Sequence, residues 1–97
     1  MVIASLAIFP TSEGATVSRY VKEMIKVIRE SGLKHETGGM STTIESPDME
    51  TLCRVITKAH EVLAGMGVKR IHIDLHVDHR LDIEATIQSK VDAVKDP

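Results

Sequence analysis

The sequence predicts an α+β fold, a ferredoxin-like βαββαβ sandwich with an additional C-terminal helix. Three observations lead to this prediction: an apolar, β-favouring run at positions 2–9, two segments whose apolar residues recur at helical spacing, and alternation of apolar and polar residues at positions 71–78. A glycine pair between the helical segments indicates a hairpin. Because two helices of similar length cover only one face of a four-stranded sheet, we expect the other face to stay open.

Length and composition are those of ordinary globular proteins. The chain forms a single predicted domain over residues 1–97, with 42% hydrophobic and 27% charged residues. A net charge of −2 and only two aromatic residues, Phe9 and Tyr20, disfavour a nucleic-acid partner. The apolar N-terminal run is too short to span a membrane and follows no basic segment, so we expect a cytoplasmic protein without a membrane partner.

The first strand and the first helix are predicted from the first third of the chain. Residues 2–9 form a strand suited to the interior of a sheet, and Pro10 closes it. After a polar loop, Thr16 is expected to be the N-cap of a helix over residues 17–31. Gly32 follows at the position where helices often end. The apolar stripe of this helix comprises Val17, Val21, Met24, Ile25 and Ile28.

A hairpin and the second helix come next. Residues 33–37 and 40–45 are predicted strands on either side of the glycine turn. Ser46 then supplies an N-cap and Pro47 the first helical position. The apolar stripe of the second helix comprises Met49, Leu52, Cys53, Ile56, Ala59, Leu63 and Met66. Cys53 is the only cysteine, which excludes an internal disulfide, and its position in the stripe predicts a buried thiol.

The segment KRIHIDLHVDHR, residues 69–80, predicts the fourth strand. Its apolar residues are Ile71, Ile73, Leu75 and Val77, and they alternate with histidines and aspartates. We expect the apolar side to pack under the two main helices and the polar side to remain open. Asp82 is then expected to cap a third helix whose apolar face comprises Ile83, Ile87, Val91 and Val94.

The polar side of the fourth strand favours a subunit interface over a metal site. His72 and His76 are about 13 Å apart along a strand, which is too far for both to bind one ion. We therefore expect no metal, and we assign to an oligomer interface the residues His72, Asp74, His76, Asp78 and Arg80. Histidines buried in such a contact are expected to make assembly sensitive to pH between about 5 and 8.

Several short motifs, in order along the chain, carry a family resemblance. They are PTSEGATVSRYV from Pro10, ESGLKHE, the hairpin segment GMSTTIE, KAHE in the second helix, and DHR from Asp78. Together these motifs resemble the thiamine-binding family of small ferredoxin-like proteins. The resemblance covers nearly the whole chain, and its hallmark positions are Pro10, Ser18, Tyr20, Val21, Met40, Thr42, Glu45, Lys58 to Glu61, Asp78 and Arg80.

The resemblance implies a homotetramer, a dimer of dimers, that binds thiamine or its hydroxymethylpyrimidine portion without catalysis. The residues agree, because no phosphate-binding glycine loop, nucleophile elbow or pair of catalytic carboxylates indicates an enzyme. No catalytic residue and no cofactor is therefore assigned. Hydroxyls and a carboxylate can pair with an aminopyrimidine ring. The candidate ligand-binding residues are Ser41, Thr42, Thr43, Glu45, Tyr20 and Met40.

Two questions stay open at this point. Alternation sets Met40, Thr42 and Ile44 against Ser41, Thr43 and Glu45. The family pattern stresses Thr42, while polarity favours the second set. Function also has two alternatives to thiamine binding. One is a structural or regulatory oligomer without a thiamine ligand, and the less favoured one is a metal-responsive protein that uses His72, His76 and His79.

Overall fold

In a computed structural model, which describes residues 1–95, the chain forms four strands and three helices. In chain order these are β1 (Val2–Pro10), α1 (Ser18–Glu30), β2 (Lys34–Thr37), β3 (Thr42–Ser46), α2 (Met49–Gly65), β4 (Ile71–His79) and α3 (Ile87–Lys95). Asp96 and Pro97, the last two residues of the predicted domain, lie outside the described part of the chain. None of the helices described between residues 1 and 95 combines the length and the apolar character needed to cross a membrane.

The four strands form one antiparallel sheet in the order β2-β3-β1-β4. β1 is an inner strand with a partner on each side, so Leu6 lies opposite Thr42 of β3 and opposite Leu75 of β4. β2 and β4 are the two edge strands. Both α1 and α2 pack on one side of this sheet, which we call the helix face, and the other side is the open face. This arrangement confirms the predicted ferredoxin-like fold.

The hydrophobic core lies between the helix face and the two helices. Successive residues of a strand point to opposite faces, and alternate residues of β1 are fully buried against α1 and α2. Ile44 of β3 extends this row across the sheet. The buried apolar residues of the core cluster are Val2, Ala4, Leu6, Ile8, Tyr20, Met24, Val27, Ile28, Ile44, Leu52, Val55, Ala59 and Leu63.

The first two helices begin at residues other than the predicted N-caps. Val17, not Thr16, occupies the N-cap position of α1, and it makes no side-chain capping bond. In α2 the N-cap is Asp48, whose carboxylate accepts a hydrogen bond from the Thr51 amide at 2.7 Å. Ser46 is not the cap because β3 continues through it to pair with β1, and its buried hydroxyl donates to the main chain of Asp48.

The third helix is shorter than predicted. α3 begins at Ile87, and Asp82 forms an ion pair with Arg80 instead of capping a helix. Thr86 and Ser89 exchange side-chain to backbone hydrogen bonds at the start of α3, in the manner of a capping box. Of the predicted apolar face, Ile87 is buried, whereas Ile83, Val91 and Val94 are exposed.

Two expectations about burial are wrong. Cys53 is exposed, because α2 turns the neighbouring Leu52 and Val55 toward the sheet and leaves the thiol on its outer side. The apolar side chains of β4 lie on the helix face, as Leu75 lies opposite Leu6. Ile71 packs against the core cluster, but the three apolar residues that follow it are not covered by the helices. β4 is an edge strand beyond the main helix layer, so the exposed fractions of Ile73, Leu75 and Val77 are 41%, 37% and 41%.

Replacing Leu6 by alanine tests the position of the core. Leu6 has no exposed surface, so Leu6→Ala leaves a cavity and should lower the free energy of unfolding by about 2–5 kcal/mol. Urea denaturation followed by circular dichroism measures the change. Leu81→Ala makes the same chemical change at a side chain that is 86% exposed, and it should cost less than about 0.5 kcal/mol. Equal losses in the two variants would contradict this assignment of the core.

Candidate functional site

A cavity of about 180 Å³ lies on the helix face, where the turn between β2 and β3 meets α1. Residues 6–9 of β1 form its floor and residues 37–42 of the hairpin form one wall. The opposite wall comes from the apolar side chains Val17, Val21, Met24 and Ile25 of α1. Three elements that are distant in sequence therefore enclose one small space.

The wall formed by α1 depends on two neighbouring rows of apolar side chains. Met24 and Ile28 belong to the row that is buried in the core. Val17, Val21 and Ile25, spaced four residues apart, form a second row that is only half-buried and lines the cavity. The sequence pattern assigns both rows to one apolar stripe of the core. The width of this stripe, which exceeds what core packing requires, was the one feature of the sequence that could have indicated a separate row lining a cavity.

The chemistry of the cavity is apolar with a polar edge. Thr37, Ser41 and Thr42 are the hydroxyl-bearing residues of the hairpin wall, which also contains the two glycines. No ionisable side chain is among the residues that line the cavity. Its volume is below the roughly 300 Å³ at which small-molecule sites commonly begin. Such a space suits one flat, uncharged ring that can also form a few hydrogen bonds.

Three of the predicted ligand-binding residues meet at this cavity. Thr42 is 2% exposed and faces the interior, while Met40 is 92% exposed at the tip of the hairpin. Met40 and Ser41 precede the first residue of β3, so the predicted strand over residues 40–45 begins two residues too early. Met40 and Ser41 therefore belong to the turn, and they lie at the mouth of the cavity.

The other hydroxyl residues lie on the opposite side of the sheet. Thr43 is opposite Ser5 of β1 and Glu36 of β2, all on the open face. Ser5 donates a hydrogen bond of 3.0 Å to the hydroxyl of Ser41, which draws that side chain toward the same face. Of the residues between 41 and 45, only Thr42 therefore directs its side chain to the cavity.

Glu45 has a structural contact and does not reach the cavity. Its carboxylate accepts a hydrogen bond of 2.8 Å from the main-chain amide of Ile87, the first residue of α3. A carboxylate at a helix N-terminus is favoured by the partial positive charge there. The resulting contact holds α3 over the open face, where Ile3 and Ile87 are both buried and Lys90 forms an ion pair with Asp78 of β4.

Tyr20 packs in the core and is not among the residues that line the cavity. Its hydroxyl donates a hydrogen bond of 3.1 Å to the carboxylate of Glu13, and the guanidinium carbon of Arg19 lies 5.0 Å from the ring centroid. Burial raises the pKa of the Tyr20 phenol, and the hydrogen bond to Glu13 raises it further. The Tyr20 side chain therefore connects α1 to the preceding loop and does not line the cavity.

The predicted interface residues of β4 are exposed along the open face. His76 lies 3.2 Å from the carboxylate of Asp74, and the ring of His72 lies 5.0 Å from that of Phe9. Arg80 pairs with Asp82 beyond the end of the strand. Within residues 1–95, no three His, Cys, Asp or Glu side chains are grouped closely enough to hold a metal ion.

Comparison with known proteins agrees with this architecture. Residues 4–95 match the family described as thiamine-binding protein. A UPF0045 protein of Methanocaldococcus jannaschii is 37% identical over 93 residues, which cover 96% of this chain and 91% of the relative. The crystal structure of the same archaeal protein superposes with a TM-score of 0.89, covering 97% of this chain and 95% of that one at 36% identity.

A bacterial structure is also similar over nearly the whole chain. It is a Thermotoga maritima protein for which a role in thiamine biosynthesis or salvage is suggested. The two chains are 25% identical, the TM-score is 0.83, and the match covers 95% of this chain and 96% of the other. These similarities agree in fold and extend from β1 to α3.

Removing the carboxylate of Glu45 should release α3 from the sheet. We expect Glu45→Ala to increase the rate of amide hydrogen exchange in residues 87–95, because the amide of Ile87 loses its acceptor. Exchange in α1 and α2 should not change. Glu36→Ala removes an exposed carboxylate from the neighbouring strand and is the control. The proposed contact is wrong if both variants, or neither, affect α3.

The pKa of Tyr20 should report its contact with Glu13. Tyr20 is the only tyrosine and the chain has no tryptophan, so the absorbance of the phenolate reports this side chain alone. We expect a pKa above the ordinary value of about 10, and Glu13→Gln should lower it part of the way, since burial remains. Glu30→Gln, at the other end of α1, should leave the pKa unchanged. A phenol that titrates normally in the wild-type chain would refute the burial argument.

Proposed function

Because the chain belongs to the thiamine-binding protein family, we propose that it binds thiamine or a related hydroxymethylpyrimidine, without catalysis, in the cavity between α1 and the hairpin. The observation that carries this proposal is the uncharged, ring-sized space with hydroxyl groups along one wall. Thr42 is the central ligand-binding residue, and Met40 and Ser41 stand at the entrance.

The shape and polarity of an aminopyrimidine match this space. The two flat faces of the ring would contact the apolar side chains of α1 and β1. Its amino group donates hydrogen bonds and its ring nitrogens accept them, so the hydroxyl of Thr42 and the main chain of the glycine turn can serve as partners. Such directional pairs give a mostly apolar pocket its specificity.

The charge of thiamine indicates which part of the molecule would enter the cavity. The thiazolium ring is a cation, and no carboxylate is among the residues that line the cavity. An unpaired cation in an apolar site loses its hydration without compensation. We therefore propose that the pyrimidine portion occupies the cavity and that the thiazolium portion of thiamine remains outside, near the exposed tip of the hairpin at Met40.

We further propose that the protein is a cytoplasmic homotetramer, a dimer of dimers, and that β4 contributes to its interfaces. The half-exposed apolar residues of β4 and its exposed histidines and aspartates support this part of the proposal. The predicted interface residues His72, Asp74, His76 and Asp78 keep this role, and Arg80 lies at the margin because it pairs with Asp82. A structural or regulatory oligomer without a ligand is the alternative, favoured by the small volume of the cavity.

Calorimetric titration with thiamine and with hydroxymethylpyrimidine tests the ligand. Both should bind, and Thr42→Val should weaken both by up to about tenfold, because a net hydrogen bond is worth about 0.5–1.5 kcal/mol. Thr43→Val is the matched control, since it makes the same change on the open face, and it should bind like the wild type. Val21→Phe should abolish binding by filling the cavity.

The outcomes separate the alternatives. The absence of heat with either ligand at high micromolar protein would support the oligomer without a ligand and end the binding proposal. Equal weakening by Thr42→Val and Thr43→Val would mean that the ligand does not occupy the cavity on the helix face. Binding of hydroxymethylpyrimidine that survives Val21→Phe would have the same meaning.

A further inference from the structure

A row of basic residues runs along the exposed side of α1. This basic row comprises Lys22, Lys26 and Arg29, which are spaced four and three residues apart. Because an α-helix turns about 100° per residue, the three side chains lie within about 60° of one another around the helix. All three are exposed, and none of them forms an ion pair within residues 1–95. The basic row is therefore available to an anion from outside the fold.

The basic row lines an open depression of about 540 Å³, together with Glu23, Ile25 and Thr37. Three cations and one carboxylate give this depression a net charge of about +2, although the whole chain has a net charge of −2. At about 100° per residue, the three cations lie between Ile25 and Glu23 around α1, so the carboxylate is at the margin away from Ile25. The centre of the depression is therefore positive.

The depression adjoins the cavity between α1 and the hairpin, because Ile25 and Thr37 line both spaces. Ile25 belongs to the half-buried row of α1. Thr37 pairs with Thr42 and so directs its side chain to the same face of the sheet. An uncharged ring in the cavity would thus lie next to the basic row, and a short substituent on the ring could reach it.

We propose that this site binds the phosphate monoester of hydroxymethylpyrimidine in preference to the free alcohol, with the phosphate held by Lys22, Lys26 and Arg29. This inference rests on the proposed function, because it places the pyrimidine ring in the same cavity. One carbon and one oxygen atom join the phosphorus to the ring, so the phosphate stays beside it. A phosphate monoester carries a charge of about −1.5 to −2 at pH 7, which balances the charge of the depression.

The side chains of the depression have the donors that a phosphate group requires. The guanidinium group of Arg29 can donate two parallel hydrogen bonds to phosphate oxygens, and the ammonium groups of Lys22 and Lys26 are flexible donors. Lys22 and Arg29 are about 10 Å apart along the helix axis, a span that two long side chains can close around one phosphate. The exposed hydroxyl group of Thr37 can donate a further hydrogen bond from β2.

Thiamine itself should gain nothing from the basic row. Its methylene group carries the cationic thiazolium ring where the ester carries the phosphate, and like charges repel. Thr37 and Met40 both belong to the hairpin wall of the cavity. The methylene group can therefore direct a phosphate past Thr37 to α1, or a thiazolium ring to the tip of the hairpin at Met40. The basic row would thus distinguish two ligands that share one ring.

Calorimetric titration with the phosphate ester, the free alcohol and thiamine tests this selection. The wild-type chain should bind the ester about tenfold or more tightly than the alcohol, because hydrogen bonds to charged groups are the stronger class. The double variant K22Q/K26Q should remove most of that difference, bind the alcohol unchanged and bind thiamine at least as tightly as the wild type. The control K34Q/K58Q makes the same change in net charge at two exposed lysines elsewhere and should bind all three ligands like the wild type. Added salt should weaken binding of the ester, because it screens exposed charges.

The outcomes distinguish this phosphate site from the proposed function on which it rests. Binding of the alcohol without tighter binding of the ester would overturn the phosphate site and leave the proposed function in place. The absence of binding by all three ligands would overturn both. Ester binding that survives Val21→Phe, or that inorganic phosphate displaces as well as the ester itself does, would mean that the phosphate is held without the ring and would also overturn the proposal. Equal losses of ester affinity in K22Q/K26Q and K34Q/K58Q would refute the role of the basic row.

Discussion

The antiparallel pairing of β1 with β3 on one side and β4 on the other is the constraint on which the rest of the structure depends. Residues opposite each other in such a ladder share a face, so the alternation of β1 orients the side chains of both neighbours. Leu6 lies on the helix face with Thr42 and Leu75, and Ser5 lies on the open face with Thr43. A shift of one residue would exchange these sets and remove both the cavity wall and the polar face of β4.

The candidate ligand site and the candidate interface occupy different parts of this sheet. The cavity is enclosed by α1, the hairpin and β1, and no residue of β4 is among those that line it. β4 lies at the edge beyond the main helix layer, where apolar side chains such as Leu75 stay partly exposed. The proposed ligand site and the proposed interface on β4 therefore share no residue, so each proposal can be tested without altering the other site.

Several polar residues near the predicted site form hydrogen bonds within the fold. Glu45 accepts the first amide of α3, Tyr20 donates to Glu13, and Ser46 bonds to the main chain of Asp48. In residues 1–95, every buried polar side-chain atom has a hydrogen-bond partner. Because an unpaired buried polar group is costly, hydrogen bonds within the fold occupy polar groups that a sequence pattern cannot distinguish from ligand contacts.

By itself the sequence determined the order of strands and helices, because apolar periodicity and turn residues are local and repeat over many positions. It also determined that Thr42 and Thr43 lie on opposite faces. Only the tertiary structure decided which face holds the cavity, since that depends on the half-buried row of α1 beside the hairpin. Burial of Cys53 and of Leu75 was mispredicted for the same reason: periodicity identifies a face, but the width of the covering layer decides what is buried.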